Sequence, residues 1–511
     1  MSLDKKVSRT VYSARNTSVA FIGKTIAILM GYFARVVFTH TLSSDYVSVN
    51  GLMLDIFNVL ALSELGVSVA ISYALYGPIA VNDTEKQKSL MSLYKKFYYL
   101  VSAIIFTLGM CIFPFLNRII SDDIHVEYLS AIYLLYLADS CLSYFLAYKK
   151  TLIEAHQKNY IVTSVQTISF SVQNIAQILI LLLSKNFIVY LLVRIACTLL
   201  NNIVCSLYAS KEYPYLNDKN VTPLSSEEKS SIFTNVKAML VHKIGTVIVN
   251  NTDNILLSII VGTLSVGSYS NYYLIIGSAR QVLNQAISGV TASVGNLSQT
   301  DDSARLKKVF LTTFFVNQWM YSLAAICLYQ VLDLFVGVSF GNNYVFSKEI
   351  TYVLCMVFYV KGMREACLVF RDSMGLFRYD WIKAIFEIII NLVASIILGK
   401  ILGVIGIFLG TIICTLTTST WVEPFVLYRH KLKTGLMNYY LRWILYTAVM
   451  TATLFGTDYI CSFIGGNGWL TIIGKGLLAF VVTNVVFLAV YFKTDEFSQC
   501  IYRLKSILKK K

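Results

Sequence analysis

Proline is nearly missing, with five in 511 residues. A chain so poor in helix breakers can run through long, uninterrupted helices. Charge is thin as well: Asp, Glu, Lys and Arg make up 14% of residues against 56% hydrophobic, and the mean hydropathy is +0.64. That excludes an ordinary soluble globular protein, which carries about 25% charged residues. Acids are the scarcer sign, 28 against 43 basic residues. The ten cysteines are scattered and none forms a CxxC pair. Cys141, Cys197 and Cys414 lie inside apolar runs and read as packing residues, so no metal or redox site is expected. No GxxxxGK[ST] stretch occurs, which excludes a phosphate loop for ATP, and no cofactor is expected.

What is there is a series of long apolar runs. The composition predicts an all-α polytopic membrane protein with about 14 transmembrane helices. The spans fall near 17–40, 48–76, 97–116, 126–148, 159–183, 187–208, 232–261, 264–294, 309–332, 348–371, 381–399, 403–428, 441–463 and 469–492. No cleavable signal peptide is expected, because Met1 to Asn16 is polar and basic and the first apolar run is long enough to be retained. The net charge of +15 does not point to nucleic acid, since it is spread over short connections between spans. Those connections alternate. One side takes Lys5, Lys6, Arg9 and Arg15, the Lys86 to Lys96 cluster, Lys149, Lys150 and Lys158, and the tail from Lys493 to Lys511. The other side takes Arg118, Lys185, Lys348 and Lys400. About 30 basic residues on one side against about four on the other place both termini in the cytoplasm.

The chain also carries signs of duplication. Lys24 opens the first span and Lys243 lies in the seventh, each followed at similar spacing by another span. Six spans separate them, an even number, so the two halves share one orientation and relate by a pseudo-twofold axis along the membrane normal. The expected organisation is a cytoplasmic N-terminus (1–16), an N-lobe of six helices (17–208), a cytoplasmic linker (209–231) and a C-lobe of six helices (232–428). Two C-terminal helices (441–492) and a basic cytoplasmic tail (493–511) complete it.

Polar residues inside the spans mark the candidate site. The run from Lys237 to Gly262, KAMLVHKIGTVIVNNTDNILLSIIVG, can cross a bilayer. Lys243, Asn250 and Asn254 fall within roughly 40° of arc on it, flanked by Thr246 and Asp253. Such a stripe cannot face lipid, because each unpaired polar group there costs several kcal/mol. It faces either a wet cavity or other helices, as a packing pair. The fifth span carries Gln166, Gln173 and Gln177 with Ser169 beside them; the eighth carries Gln281, Asn284, Gln285 and Ser288 with Arg280 at the edge. Amides of this kind line cavities or hold helices together. Lys24, Arg35, Arg194, Lys243, Arg280, Lys361 and Arg364 are deep bases; Asp55, Glu64, Asp139, Asp253, Glu365 and Glu387 are deep acids. Lys361 and Glu365 have ion-pair spacing on one helix face. The remaining basic surplus suits a pathway for an anion, or a set of structural pairs.

Several stretches resemble the Wzx-type polysaccharide repeat-unit flippases, within the MATE-like multidrug/oligosaccharidyl-lipid/polysaccharide (MOP) exporter superfamily. LSELGVSVAISYALYGPIAVND, from Leu62 to Asp83, is similar to that family's LG-x-x-x-AI…LY-x-P signature. LMSLYKKFYYL (Leu90 to Leu100), SYFLAYKKTLIEAHQKNYI (Ser143 to Ile161) and YPYL (Tyr213 to Leu216) follow. In the second half come HKIGTVIVNNTDNILLSIIVG, YSNYYLI (Tyr269 to Ile275) and SVGN (Ser293 to Asn296). The resemblance spans roughly residues 15 to 430. It implies a multi-pass protein of the cytoplasmic (inner) membrane that moves an undecaprenyl-diphosphate-linked oligosaccharide by alternating access, for capsule, exopolysaccharide or O-antigen-type polymer export. Membrane lipid and the polymerase and export machinery are the partners this implies; nucleic acid is not one. It also implies arginines near the middle of a cavity, with Arg35 and Arg280 as the positional counterparts. Lys24 stands where some relatives carry Arg, and offers a point charge in place of a bidentate contact.

On this reading Lys24, Arg35, Lys243, Arg280 and Arg364 hold the diphosphate, while amides such as Asn250, Gln173 and Gln281 take the sugars. Asp253, Asp139, Glu64 and Glu387 are the candidates for coupling to an ion gradient, and each reads more simply as a fixed partner to a nearby base. Three other classes stay open. A lipid-linked peptidoglycan or teichoic acid precursor flippase differs in head group. A cation-coupled drug antiporter shares the fold but calls for an acidic cavity. A membrane glycosyltransferase needs an external site with paired acids or His, and the connection from Asp333 to Lys348 is short and almost free of them. The protein is therefore expected not to be an enzyme.

Overall fold

The computed structural model describes residues 9–61, 67–120, 124–218, 220–230, 233, 252–288, 294 and 303–508. Helices dominate, and no strand occurs among the described residues. Nine described helices are long and apolar enough to cross a membrane, or ten if one bent pair counts as a span. The chain divides into two compact units, Met1–Gly267 and Ser268–Lys511.

Unit 1 opens with α1 (Arg9–Thr41), α2 (Ser44–Leu60), α3 (Val67–Ala80) and α4 (Thr84–Ile112). It continues with α5 (Leu129–Ser143), α6 (Tyr148–Ala155), α7 (Asn159–Ser184) and α8 (Phe187–Glu212). A short helix over 252–260, α9, and the first residues of α10 (Thr263–Ser288) complete it. Side-chain caps fix several helix starts. Asp83 accepts from the Lys86 N–H at 2.9 Å at the head of α4, and Asn186 accepts from the Ile188 and Val189 N–H groups at the head of α8.

The segment after α8 does not hang free. Tyr215 donates to Gln87 Oε1, Lys88 pairs with Asp218 at 2.9 Å, and Ser89 donates to the Thr222 carbonyl at 2.6 Å. The linker is thereby fastened to the start of α4, and Lys149 of α6 reaches Ser210 in the last turn of α8 at 2.7 Å.

Unit 2 holds the rest of α10, α11 (Ser303–Phe340), α12 (Lys348–Met363), α13 (Glu365–Ser373) and α14 (Trp381–Leu402). Beyond these come α15 (Val404–Thr417), α16 (Ser419–Leu427), α17 (Met437–Cys461), α18 (Trp469–Tyr491) and α19 (Asp495–Leu508). Aromatic side chains make its core. Phe314 packs with tilted rings against Tyr439 and Tyr446, while Trp319 meets Phe487 and Tyr491 and donates to Asn484 at 3.0 Å. These contacts seat α17 and α18 on α11.

The α14–α15 pair shows how the chain suits lipid. Ile382, Phe386, Ile389, Val393 and Ile397 form an exposed apolar stripe at helical spacing. The buried face is polar: Asn391 donates to Thr411 at 3.2 Å and Ser395 to the Ile407 carbonyl at 3.0 Å. Apolar outside and polar inside reverses the soluble pattern, as a hydrocarbon solvent requires. Gly403, at φ +60°, turns the chain back. A Cβ on Gly406 would lie 1.9 Å from the Leu398 carbonyl oxygen, and one on Gly410 2.5 Å from the Ser395 nitrogen, so only glycine permits this approach.

Candidate functional site

Unit 1 contains a cavity of about 520 Å³ lined from α1, α6, α7 and α8 and by Ser143 at the end of α5. Close packing makes one wall. A Cβ on Gly23 would lie 2.5 Å from Thr167 Oγ1, so α1 runs against α7 at this point. The next residue, Lys24, lines the cavity. From α7 come Thr163, Gln166, Ser169 and Gln173; from α8 come Thr198, Asn201 and Asn202. The sequence folds α7 this way because its other face, with Ile168, Val172, Ile175 and Leu179, is apolar and exposed.

A break between α5 and α6 supplies the second base. The two helices meet at a 41° bend, with Leu146 at φ 62°. The carbonyls of Ser143 and Phe145 turn out of the helix there, while that of Leu142 keeps a bond from the Phe145 N–H at 3.0 Å. Asn202 donates its amide to all three, at 3.4, 2.8 and 2.9 Å. Its oxygen accepts from Lys150 Nζ at 2.6 Å, which holds that ammonium in the cavity wall. The lining includes Lys24 and Lys150 but no carboxylate. Asn201 Oδ1 is buried with no hydrogen-bond partner, an acceptor left without its donor. Two cations, several amides and hydroxyls, and a spare acceptor can bind a polyhydroxylated anion.

The cavity brings together two of the residues singled out by sequence, Lys24 and Gln173, along with Gln166 and Ser169 of the same stripe. Gln177, last of that stripe, is buried and donates to the Tyr190 carbonyl at 3.1 Å. Arg35 lies 11 residues beyond Lys24 on α1, about 16 Å along the axis, with its guanidinium 5.8 Å from the Phe38 ring. Asp139 pairs with Arg194 at 2.7 Å and accepts from Thr198 at 2.8 Å. Asp253 is buried on α9, next to Asn254, which donates to Asp55 at 2.6 Å. Lys243, Asn250 and Glu64 lie outside the described residues.

The remaining candidates belong to unit 2. Arg280 pairs with Glu365 at 3.0 Å, and Asn284 donates to the same oxygen. Tyr321 donates to Asn284, while Gln281 is exposed on α10. Arg364 sits between Glu423 at 2.7 Å and Glu387 at 3.4 Å. Ser419 donates to Glu387. Lys383 also reaches Glu423, and Arg371 pairs with Asp380 at 2.7 Å. Lys383 also lies 3.7 Å from Asp380, so Arg364, Glu387, Glu423, Lys383, Asp380 and Arg371 form one buried ionic network joining the α12–α13 junction to α13, α14 and α16.

Sequence reasoning missed Lys150, Asn201 and Asn202. Lys150 was counted as a topology signal in a connection. The adjacent amides Asn201 and Asn202 inside an apolar span were a usable signal.

Residues 13–292 match the family described as "Polysaccharide biosynthesis protein". No curated protein matches the sequence. The fold is similar to that of the Lipid II flippase MurJ in an inward closed conformation, with TM-score 0.65, 16% identity, and 93% of this chain and 99% of that one covered. It is similar also to an inward-facing multidrug resistance MATE family transporter of the MOP superfamily (TM-score 0.62, 14% identity, covering 80% and 98%). The Vibrio cholerae MATE transporter VcmN in its bent form gives TM-score 0.53 at 11% identity, covering 83% and 98%.

Proposed function

Because the chain belongs to the polysaccharide biosynthesis protein family, we propose that it flips undecaprenyl-diphosphate-linked oligosaccharide repeat units across the cytoplasmic membrane, with both termini in the cytoplasm. The observation that carries this reading is the cavity of unit 1, where Lys24 and Lys150 stand among amides and hydroxyls. The lipid tail of such a cargo is at home in hydrocarbon; its head, with sugar hydroxyls and a diphosphate, is not. The two ammonium groups take the diphosphate as point charges. Gln166, Gln173 and Asn201 exchange hydrogen bonds with sugar hydroxyls and replace the water those groups give up. Access to the cavity alternates between the two membrane faces as one half of the protein rocks against the other. Arg280 and Arg364, enclosed by carboxylates, act as fixed partners within unit 2.

A peptidoglycan or teichoic acid precursor is the second reading, favoured by the fold likeness to a Lipid II flippase. It changes the sugars and keeps the diphosphate lipid. A cation-expelling antiporter is disfavoured, because a lining with two lysines and no carboxylate repels its cargo.

The test is flipping of a fluorescent undecaprenyl-diphosphate oligosaccharide by the purified protein in liposomes, read as loss of lectin accessibility. The Lys24→Ala, Lys150→Ala double variant should lose about tenfold or more of the rate, at unchanged protein incorporation. A rate equal to wild type would remove this cavity from the pathway.

A further inference from the structure

The C-terminal helix α19 follows a spanning helix almost without a gap. Along α18, Leu477, Val481, Leu488 and Phe492 form an exposed apolar stripe at helical spacing, the face that meets hydrocarbon. The stripe ends at Phe492. Lys493 is exposed, with its ammonium 5.3 Å from the Phe492 ring. A cation on an apolar stem at the end of such a stripe marks the headgroup level. α19 begins two residues later, at Asp495, so its first turn belongs to that layer.

Unit 2 grips the start of this helix. Glu496 is buried and pairs with Arg442 of α17 at 2.5 Å, Phe497 stacks on Trp319 of α11, and Gln499 accepts from Thr312 at 2.9 Å. Farther along, Ile501 and Tyr502 are exposed. Helical register puts Phe497, Cys500, Ile501, Leu504 and Leu508 within about 100° of arc. Arg503 and Lys505 fall just outside that stripe, one on each side. From Phe497 to Lys511 the chain carries Arg503, Lys505, Lys509, Lys510 and Lys511, and no acid. A helix of 14 residues is about 21 Å long, whereas the headgroup layer is about 5–8 Å deep. Standing upright, α19 would carry its apolar stripe out into water. Lying flat, it keeps the stripe on the acyl boundary and both edges among headgroups.

We propose that α19 is an interfacial helix that binds anionic phospholipid, with Arg503 and Lys505 on the lipid phosphates and Ile501, Leu504 and Leu508 entering the acyl boundary. Lipid fits this face better than an acidic protein does. The stripe starts at membrane depth, and its cations stand at the polar–apolar edge, where long basic side chains reach phosphate while their stems cover hydrocarbon. Through the Glu496–Arg442 pair and the Phe497–Trp319 stack, the helix ties α17 and α11 to the membrane surface. This holds whatever cargo the protein moves.

The experiment is hydrogen–deuterium exchange of the full-length protein in nanodiscs of phosphatidylcholine, alone or mixed with phosphatidylglycerol. Amides of residues 500–508 should exchange about tenfold more slowly with the anionic lipid present, and raised salt should shrink the difference. The double variant Arg503→Glu, Lys505→Glu should lose it. The double variant Arg503→Lys, Lys505→Arg keeps the charge and should retain it. Glu496→Gln weakens the hold on Arg442 and should leave the lipid response intact, which separates lipid binding from docking on the protein. Equal exchange in the two bilayers would overturn the proposal, as would a lipid response that survives the charge reversal. Protection that appears only on adding a soluble acidic protein would assign the stripe to a protein partner and overturn it too.

Discussion

Lys150 and Asn202 are joined at 2.6 Å across the bend between α5 and α6, and the same asparagine ties down three carbonyls at that bend. One side chain thus closes a broken helix and positions a cavity cation. Replacing Asn202 by Ala removes the side-chain donor from the Ser143 and Phe145 carbonyls and should cost about 1–3 kcal/mol of stability. A thermal unfolding midpoint lowered by several degrees, with slower flipping, is expected. Lys150→Gln should slow flipping with little change in the midpoint.

Asn201 offers a second, sharper contrast. Its Oδ1 has no donor in the described protein, so Asn201→Leu should leave stability unchanged or raised. The same change should weaken glycan transport several-fold, read as KM in the liposome assay. An unaltered KM would mean the oxygen does not meet the cargo.

The ionic network of unit 2 should behave as a structural core. Arg364→Leu leaves Glu423 and Glu387 buried without their shared base, at a cost of about 3–5 kcal/mol. Folded yield in detergent, measured by size-exclusion chromatography, should collapse. The companion change Glu387→Gln in that background should recover part of it, because it removes the charge whose ion pair is lost, whereas Glu423 keeps Lys383.

Helix proximity in α14–α15 is equally testable. Gly406→Ala places a methyl group 1.9 Å from the Leu398 oxygen. The two helices must separate, and the yield of folded protein should fall to background. Gly435→Ala, where open space surrounds the position, is the control and should be silent.

His156, in the connection between α6 and α7, stacks on Tyr213 at 4.4 Å, and its Nε2 has no partner in the described protein. Burial, helped by Lys158, lowers its pKa from 6.5 to about 4. The unfolded chain therefore binds more protons between those values. Stability should rise with pH from about 4 to 6.5 and be complete above that. His156→Phe keeps the stack and should flatten the unfolding midpoint over that window.

Much of the architecture was legible because it rests on periodicity: apolar runs of bilayer length, and the stripe of Gln166, Ser169 and Gln173 that faces the cavity with Lys24. The pairing of charges was not. Glu423 is 59 residues from Arg364 and Asp380 sits beside a basic connection, so neither counted as a deep acid, yet both are almost wholly buried. A surplus of cations within spans cannot be judged until such distant partners are placed. Asn201 and Asn202 were missed for a different reason. They lie in an apolar helix without a repeating stripe, and their role comes from a bend in another helix that no local pattern announces.

The linker after α8 has a practical consequence. A connection of that length invites the insertion of an affinity handle or a fluorescent reporter. Here Tyr215, Asp218 and the Thr222 carbonyl are already engaged with the head of α4. A reporter threaded between them would prise apart the fastening, and a tag is better carried on the exposed loop at Ser462 and Phe463.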